Sequence, residues 1–182
     1  MKKSTKTFIS SMLAVGTVFG IGASVETPQV KEAHAATTPY YSYQGYAGND
    51  PSFVLNQQFI TSLQYDNFKI NGYKISSTTG INLAGLVPGS KTVTKYDQEF
   101  NMVNKEGTQA DIVSFKVRGN LTVKQLKNAY GKKLRKLPRG SQTNSNSGYA
   151  YSPNDKHYGI YFDVKNDKVT QITIGVFGVT GE

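Results

Sequence analysis

No cysteine occurs anywhere in the 182 residues, and this absence constrains the chain more than anything it contains. Without disulfide staples, a stable fold has to come from buried apolar side chains and paired backbone. Cys-ligated zinc, iron–sulfur clusters, thiol catalysis and a lipidated N-terminal cysteine are excluded at the same stroke. Tryptophan is also absent, and two histidines stand against twelve tyrosines. Hydrophobic residues make up 37% of the chain, a composition that points to a globular rather than a disordered protein.

The N-terminus reads as a leader. Lys2, Lys3 and Lys6 precede an uncharged apolar run from Phe8 to Ala23, and Ala33-His34-Ala35 places small residues at the −3 and −1 positions of a signal-peptidase site. The run is shorter than the ~20 residues a membrane-spanning helix needs. Residues 1–35 are therefore expected to be a signal peptide cleaved after Ala35. Residues 36–182 are expected to form one domain with a Tyr-rich N-terminal arm over 36–49. No second apolar run of membrane length follows, so the protein is expected to be secreted, or held at the cell surface without a membrane span.

The remaining sequence predicts an α+β fold, with two short helices packed on an antiparallel sheet. Tyr41 and Tyr43 alternate as in a short strand or extended arm. Asp50-Pro51 is a helix start, and Leu55, Phe59 and Leu63 recur on one face of a helix over 51–64. Asn71-Gly72 between Phe68 and Ile75 marks a tight hairpin. Residues 76–92 read as a loop, and 93–103 and 111–118 as strands. Thr122 and Gln125 form a capping box for a helix with Val123, Leu126 and Tyr130 on its inner stripe and Gly131 as its stop. Residues 139–148 read as polar loop. Three closing strands are expected at 149–152, 158–164 and 169–176.

The formal net charge is +9, and it is unevenly placed. From Ile112 to Asn154 there is no acidic residue, while Lys116, Arg118, Lys124, Lys127, Lys132, Lys133, Arg135, Lys136 and Arg139 all fall there. Such asymmetry is the footprint of a phosphate-binding surface. Two of the aromatics near the stretch, Tyr149 and Tyr151, share one strand face, which serves either a core or a stacked base. Tyr130 fits the helix's inner stripe and core packing better than stacking. Tyr40, Tyr41, Tyr43 and Tyr46 offer a second stacking edge, or pack along a sheet edge. A lysine run is also the ordinary composition of a solvated turn, and lysines late in a helix complement its dipole without any ligand.

Catalytic patterns are sparse. Once the leader is removed, His157 is the one histidine, so no Ser-His-Asp grouping stands out. Asp97 and Glu99 share a face of the expected strand, but no further acids accompany them. Metal-ligand spacings, dinucleotide fingerprints and phosphate-loop motifs are missing. The expectation is a non-enzymatic protein with no cofactor and no metal.

Five segments carry a resemblance. They are Thr38-Pro-Tyr-Tyr-Ser-Tyr-Gln-Gly-Tyr, Tyr65-Asp-Asn-Phe-Lys-Ile-Asn-Gly, Lys95-Tyr-Asp-Gln-Glu-Phe, Ala129-Tyr-Gly-Lys-Lys-Leu and Gly159-Ile-Tyr-Phe-Asp-Val. In this order and spacing the chain resembles the immunodominant staphylococcal antigen B family. The resemblance implies a small secreted or surface-associated antigen, without enzymatic activity, that binds extracellular DNA or RNA independently of sequence. It carries over no residue-level site, so the site residues rest on charge. Residues 77–92 look longer than the family pattern, and the segment after Lys136 more basic. The alternative reading is a surface interaction module, held by anionic wall polymers and binding a host or envelope protein.

Overall fold

A computed structural model describes residues 38–76, 91–137, 147–153 and 158–176. All described residues belong to the unit Ala36–Glu182. Among them the expected α+β character holds, with two α-helices and strands that are mostly antiparallel. The strands form two sheets. The smaller has the order β1-β2-β3-β6, from β1 (Tyr41–Tyr43), β2 (Phe68–Ile70), β3 (Tyr73–Ile75) and β6 (Gln109–Ala110). The larger is antiparallel throughout, in the order β4-β5-β7-β11-β10-β9-β8. Its strands are β4 (Lys91–Lys95), β5 (Gln98–Val103), β7 (Ile112–Lys116), β8 (Arg135–Leu137), β9 (Ser147–Tyr151), β10 (Tyr158–Lys165) and β11 (Lys168–Val176).

Local signals set several boundaries where the sequence places them. Asn71 (φ 50°) and Gly72 (φ 93°) turn the β2–β3 hairpin. Asn166 and Asp167, both at positive φ, turn β10 into β11. The Asp50 carboxylate accepts the Ser52 N–H, with Pro51 at the first helical position. Residues 51–64, however, are not one helix. A 3-10 turn over Pro51–Leu55 ends at Asn56, whose side chain accepts the Gln58 N–H and caps a separate helix α1 (Gln57–Gln64). A second strong cap one turn downstream of the first restarts the helix.

Residues 93–103 also differ from the single strand expected. They belong to the hairpin β4–β5, turned at Tyr96-Asp97. The expected Asp97/Glu99 pair is thereby separated: Asp97 lies in the turn and Glu99 on the strand, next to Asn101.

Aromatic rings hold the sheets to the helices. Phe53, Phe59 and Phe68 are buried and in mutual contact, with ring centroids 4.9–6.2 Å apart. Tyr41 and Tyr43 lie on this cluster, Tyr43 stacked 4.3 Å from Phe53. A second cluster joins Tyr130, Tyr151 and Phe162. Buried hydroxyls tie the elements together: Tyr130 donates to the Val54 carbonyl at 2.7 Å and Tyr158 to the Ile75 carbonyl at 2.8 Å. These bonds satisfy polar tips that would otherwise be desolvated without a partner.

Candidate nucleic-acid interface

Helix α2 (Val123–Tyr130) carries the middle of the basic stretch. The Thr122 hydroxyl accepts the Gln125 N–H and the Gln125 side chain accepts the Thr122 N–H, so both halves of the expected capping box are made. Val123, Leu126 and Tyr130 face the core, which leaves Lys124 and Lys127 exposed. Gly131, at φ 58°, ends the helix with its N–H on the Lys127 carbonyl.

Residues 131–137 are more ordered than the loop the sequence suggests. Gly131–Lys133 forms a 3-10 turn with Lys132 and Lys133 exposed, and β8 then adds to β9 with Arg135 opposite Ala150 and Lys136 opposite Tyr149. Because β8 is the edge of the large sheet, both Arg135 and Lys136 reach solvent, an arrangement that also discourages strand addition by another chain. On β7 the alternation holds, with Val113 and Phe115 buried and Lys116 exposed. Arg118 lies just beyond the strand, exposed. Arg139 and His157 lie outside the described residues.

The fold therefore does not gather these cations into one cluster. β7 and β8 are four strand intervals apart in the sheet, or roughly 19 Å at ~4.8 Å per interval. Lys116 and Arg118 mark one end of a basic path, Arg135 and Lys136 the other, and α2 with its following turn lies between them in the chain. A spread of this kind suits an extended polyanion better than a single phosphate. Beside α2 is a depression of about 410 Å³ lined by Thr122, Val123, Lys124, Lys127, Asn166, Asp167 and Lys168. It brings Lys168 alongside Lys124 and Lys127. Sequence reasoning missed Lys168 because it opens β11, more than 40 residues away in the chain, and meets the helix start through the Thr122–Lys168 bridge.

Two of the proposed site residues are corrected. Tyr149 is 8% exposed and Tyr151 1%, so neither ring has a free face for a base. Tyr151 packs 5.0 Å from Tyr130, and its hydroxyl accepts the Gln64 Nε2–H. The face shared by the two tyrosines is the core face of β9. Burial, with Tyr151 beside it, also raises the ionisation of Tyr130 well above the ordinary tyrosine range. In the arm, Tyr41 and Tyr43 turn inward while Tyr40 and Tyr46 remain exposed.

The arm is fastened by a polar node. Asp97 accepts the Ala47 and Gly48 N–H groups at 3.0 and 2.9 Å. Asn71 accepts the Gly45 N–H at 2.7 Å and donates to the Gly45 carbonyl at 3.0 Å. Gln98, fully buried, donates to the Gly45 carbonyl and to Asp97, and accepts from Asn71. Asp97 thus serves as an anchor for backbone N–H groups. Among the described residues no group of three His, Asp or Glu is placed to hold a metal ion, and no helix is long and apolar enough to cross a membrane.

Fold and surface together define a small cysteine-free α+β domain with a tyrosine-rich arm and a basic path across one sheet and one helix. Residues 40–174 match the family described as Immunodominant staphylococcal antigen B, and the chain belongs to that family. It is 38% identical over 177 residues, 96% of this chain and 95% of the relative, to proteins named Immunodominant staphylococcal antigen B from Staphylococcus aureus strains USA300, NCTC 8325 / PS 47 and COL. No solved structure matches the chain.

Proposed function

We propose that this is a secreted, non-enzymatic protein that binds extracellular DNA or RNA through its basic path, independently of sequence. The observation that carries the reading is the set of eight exposed cations, Lys116, Arg118, Lys124, Lys127, Lys132, Lys133, Arg135 and Lys136, strung over β7, α2 and β8 in a stretch free of acids. Lys168 adds a ninth beside α2. Flexible lysines contact phosphate oxygens without reading bases, which supports sequence tolerance. Secretion rests on the basic, apolar and small-residue order of residues 1–35. The S. aureus relatives align over 96% of the chain, so their likeness reaches into this leader.

Binding through phosphates releases counterions, so affinity should fall steeply and linearly with salt on logarithmic axes. The test is a salt titration of DNA and RNA binding by fluorescence anisotropy, with the wild type and a Lys132→Gln, Lys133→Gln, Arg135→Gln, Lys136→Gln variant. The slope should shrink by roughly 3 in the variant, at ~0.7–0.9 for each phosphate no longer neutralised. A flat titration, or no binding at ~50 mM salt, excludes the reading. Competition with wall teichoic acid separates nucleic acid from anionic wall polymer as the preferred ligand.

A further inference from the structure

We propose that Tyr46 and Tyr96 form a stacking platform for unpaired nucleobases, set at the Lys116–Arg118 end of the basic path. The inference rests on the phosphate-binding reading above and adds to it a site for bases.

The two rings lie 5.1 Å apart, edge to face at 82°. They remain 53% and 50% exposed, unlike Tyr130, Tyr149, Tyr151 and Tyr158, which the core covers. Their surroundings hold them in that position. Tyr46 lies between two backbone anchors, Gly45 on the Asn71 side chain and Ala47-Gly48 on the Asp97 carboxylate. The Tyr43 hydroxyl also donates to the Tyr46 carbonyl at 3.2 Å.

Tyr96 occupies the first central position of the two-residue turn joining Lys95 to Gln98, at φ 57°. Asp97 is not at positive φ, and a two-residue hairpin with a positive φ at the first central position alone favours glycine there, because the left-handed region crowds a Cβ. A bulky aromatic there is a true outlier, and such local strain concentrates at ligand sites. The turn thus gives up its favoured residue and projects an exposed ring beside another. No core contact requires that of a residue half in solvent.

Two residues beyond Tyr46, the arm meets the end of β7. The Gly48 carbonyl accepts the Arg118 and Gly119 N–H groups at 2.8 and 3.0 Å. Its Cα lies so close to β7 that an added Cβ would be 2.1 Å from the Lys116 carbonyl. The backbone of Lys116 and Arg118, whose side chains are exposed, therefore meets the arm at Gly48, two residues from Tyr46. Exposed aromatic faces beside cations are the means by which single strands are bound without sequence preference. In a duplex the base faces are already stacked on one another, so the ligand class is single-stranded nucleic acid.

The test compares a single-stranded oligothymidylate with an abasic oligonucleotide of equal length and phosphate count, by fluorescence anisotropy at fixed moderate salt. The wild type should favour the base-bearing strand by about tenfold or more. Tyr96→Gly should keep or raise thermal stability, since glycine suits the turn, yet lose most of that preference. Tyr46→Ala should lose it likewise, and both variants should bind the abasic strand as the wild type does. Equal wild-type affinity for the two strands overturns the platform while leaving phosphate binding intact, as does a base preference that survives both substitutions. Binding to neither strand overturns the phosphate reading along with it.

Discussion

Gly48 sits where three segments converge, with the Tyr96-Asp97 turn on one side, the end of β7 on another and the arm running through. A Cβ at this position would lie 2.1 Å from the Lys116 carbonyl oxygen and 2.8 Å from an Asp97 carboxylate oxygen. The first of these is backbone and cannot swing away. Gly48→Ala should therefore destabilise the protein by about 1–3 kcal/mol, the usual cost of overpacking, seen as a lower urea midpoint. An unchanged midpoint would show that the arm is not clamped as described. The sequence gives little warning of Gly48 or Asp97, because their partners lie about 50 to 70 residues away and no local pattern marks them. By contrast the Asp50 cap, the Asn71-Gly72 turn and the Thr122/Gln125 pair are legible from sequence alone, since each shapes backbone within three residues of itself, whereas the hold of the Asn71 side chain on Gly45, 26 residues away, is not. Tyr149 and Tyr151 show how little alternation decides. It put both rings on one face, but which face met the core depended on a helix and a sheet elsewhere in the chain.

Helix α2 is the element whose limits were plainest. The capping box fixes its start, and a glycine at positive φ fixes its end. Thr122→Ala should cost about 1 kcal/mol of stability. It should also weaken nucleic-acid binding modestly, because the start of α2 places Lys124 and Lys127 against Lys168; circular dichroism and anisotropy on the same variant test both parts. The β4–β5 hairpin was hidden for the opposite reason. Residues 93–100 contain no glycine, proline or Asn-Gly pair, so the turn carries none of its usual markers, and a tyrosine occupies the position glycine favours. The basic segment after α2 was hidden too. Its lysines read as solvated loop, yet three successive pairings with β9 make Arg135–Leu137 an edge strand.

Across the whole molecule, the α+β class and its mainly antiparallel sheet follow from the strand and helix periods. The parallel pairings of β1 with β2 and of β3 with β6 do not, because parallel neighbours are joined by distant chain. The buried tyrosines also act collectively. Burial, then the carboxylates of Asp50 and Asp97 and the neighbouring Tyr41, pushes Tyr43 up to about 12. Tyr130 and Tyr158 are raised as well, chiefly by burial. The folded state thus keeps protons that the unfolded chain releases near pH ~10. Their contribution to stability is complete below that pH and is lost progressively above it, that of Tyr43 as pH rises through about 12. The urea midpoint should fall steadily above pH ~10, and Tyr158→Phe should flatten the fall; a midpoint that holds level to pH ~11 would contradict this. The clamp on the arm has a further consequence in time. Gly48 is synthesised about 70 residues ahead of the Arg118 and Gly119 amides that bind its carbonyl. At ~5–20 residues per second, this last anchor follows the arm by roughly 4–14 s, after Asn71 and Asp97 have already been made. The clamp therefore closes in the order of the chain, on Asn71 first, on Asp97 next and on the end of β7 last.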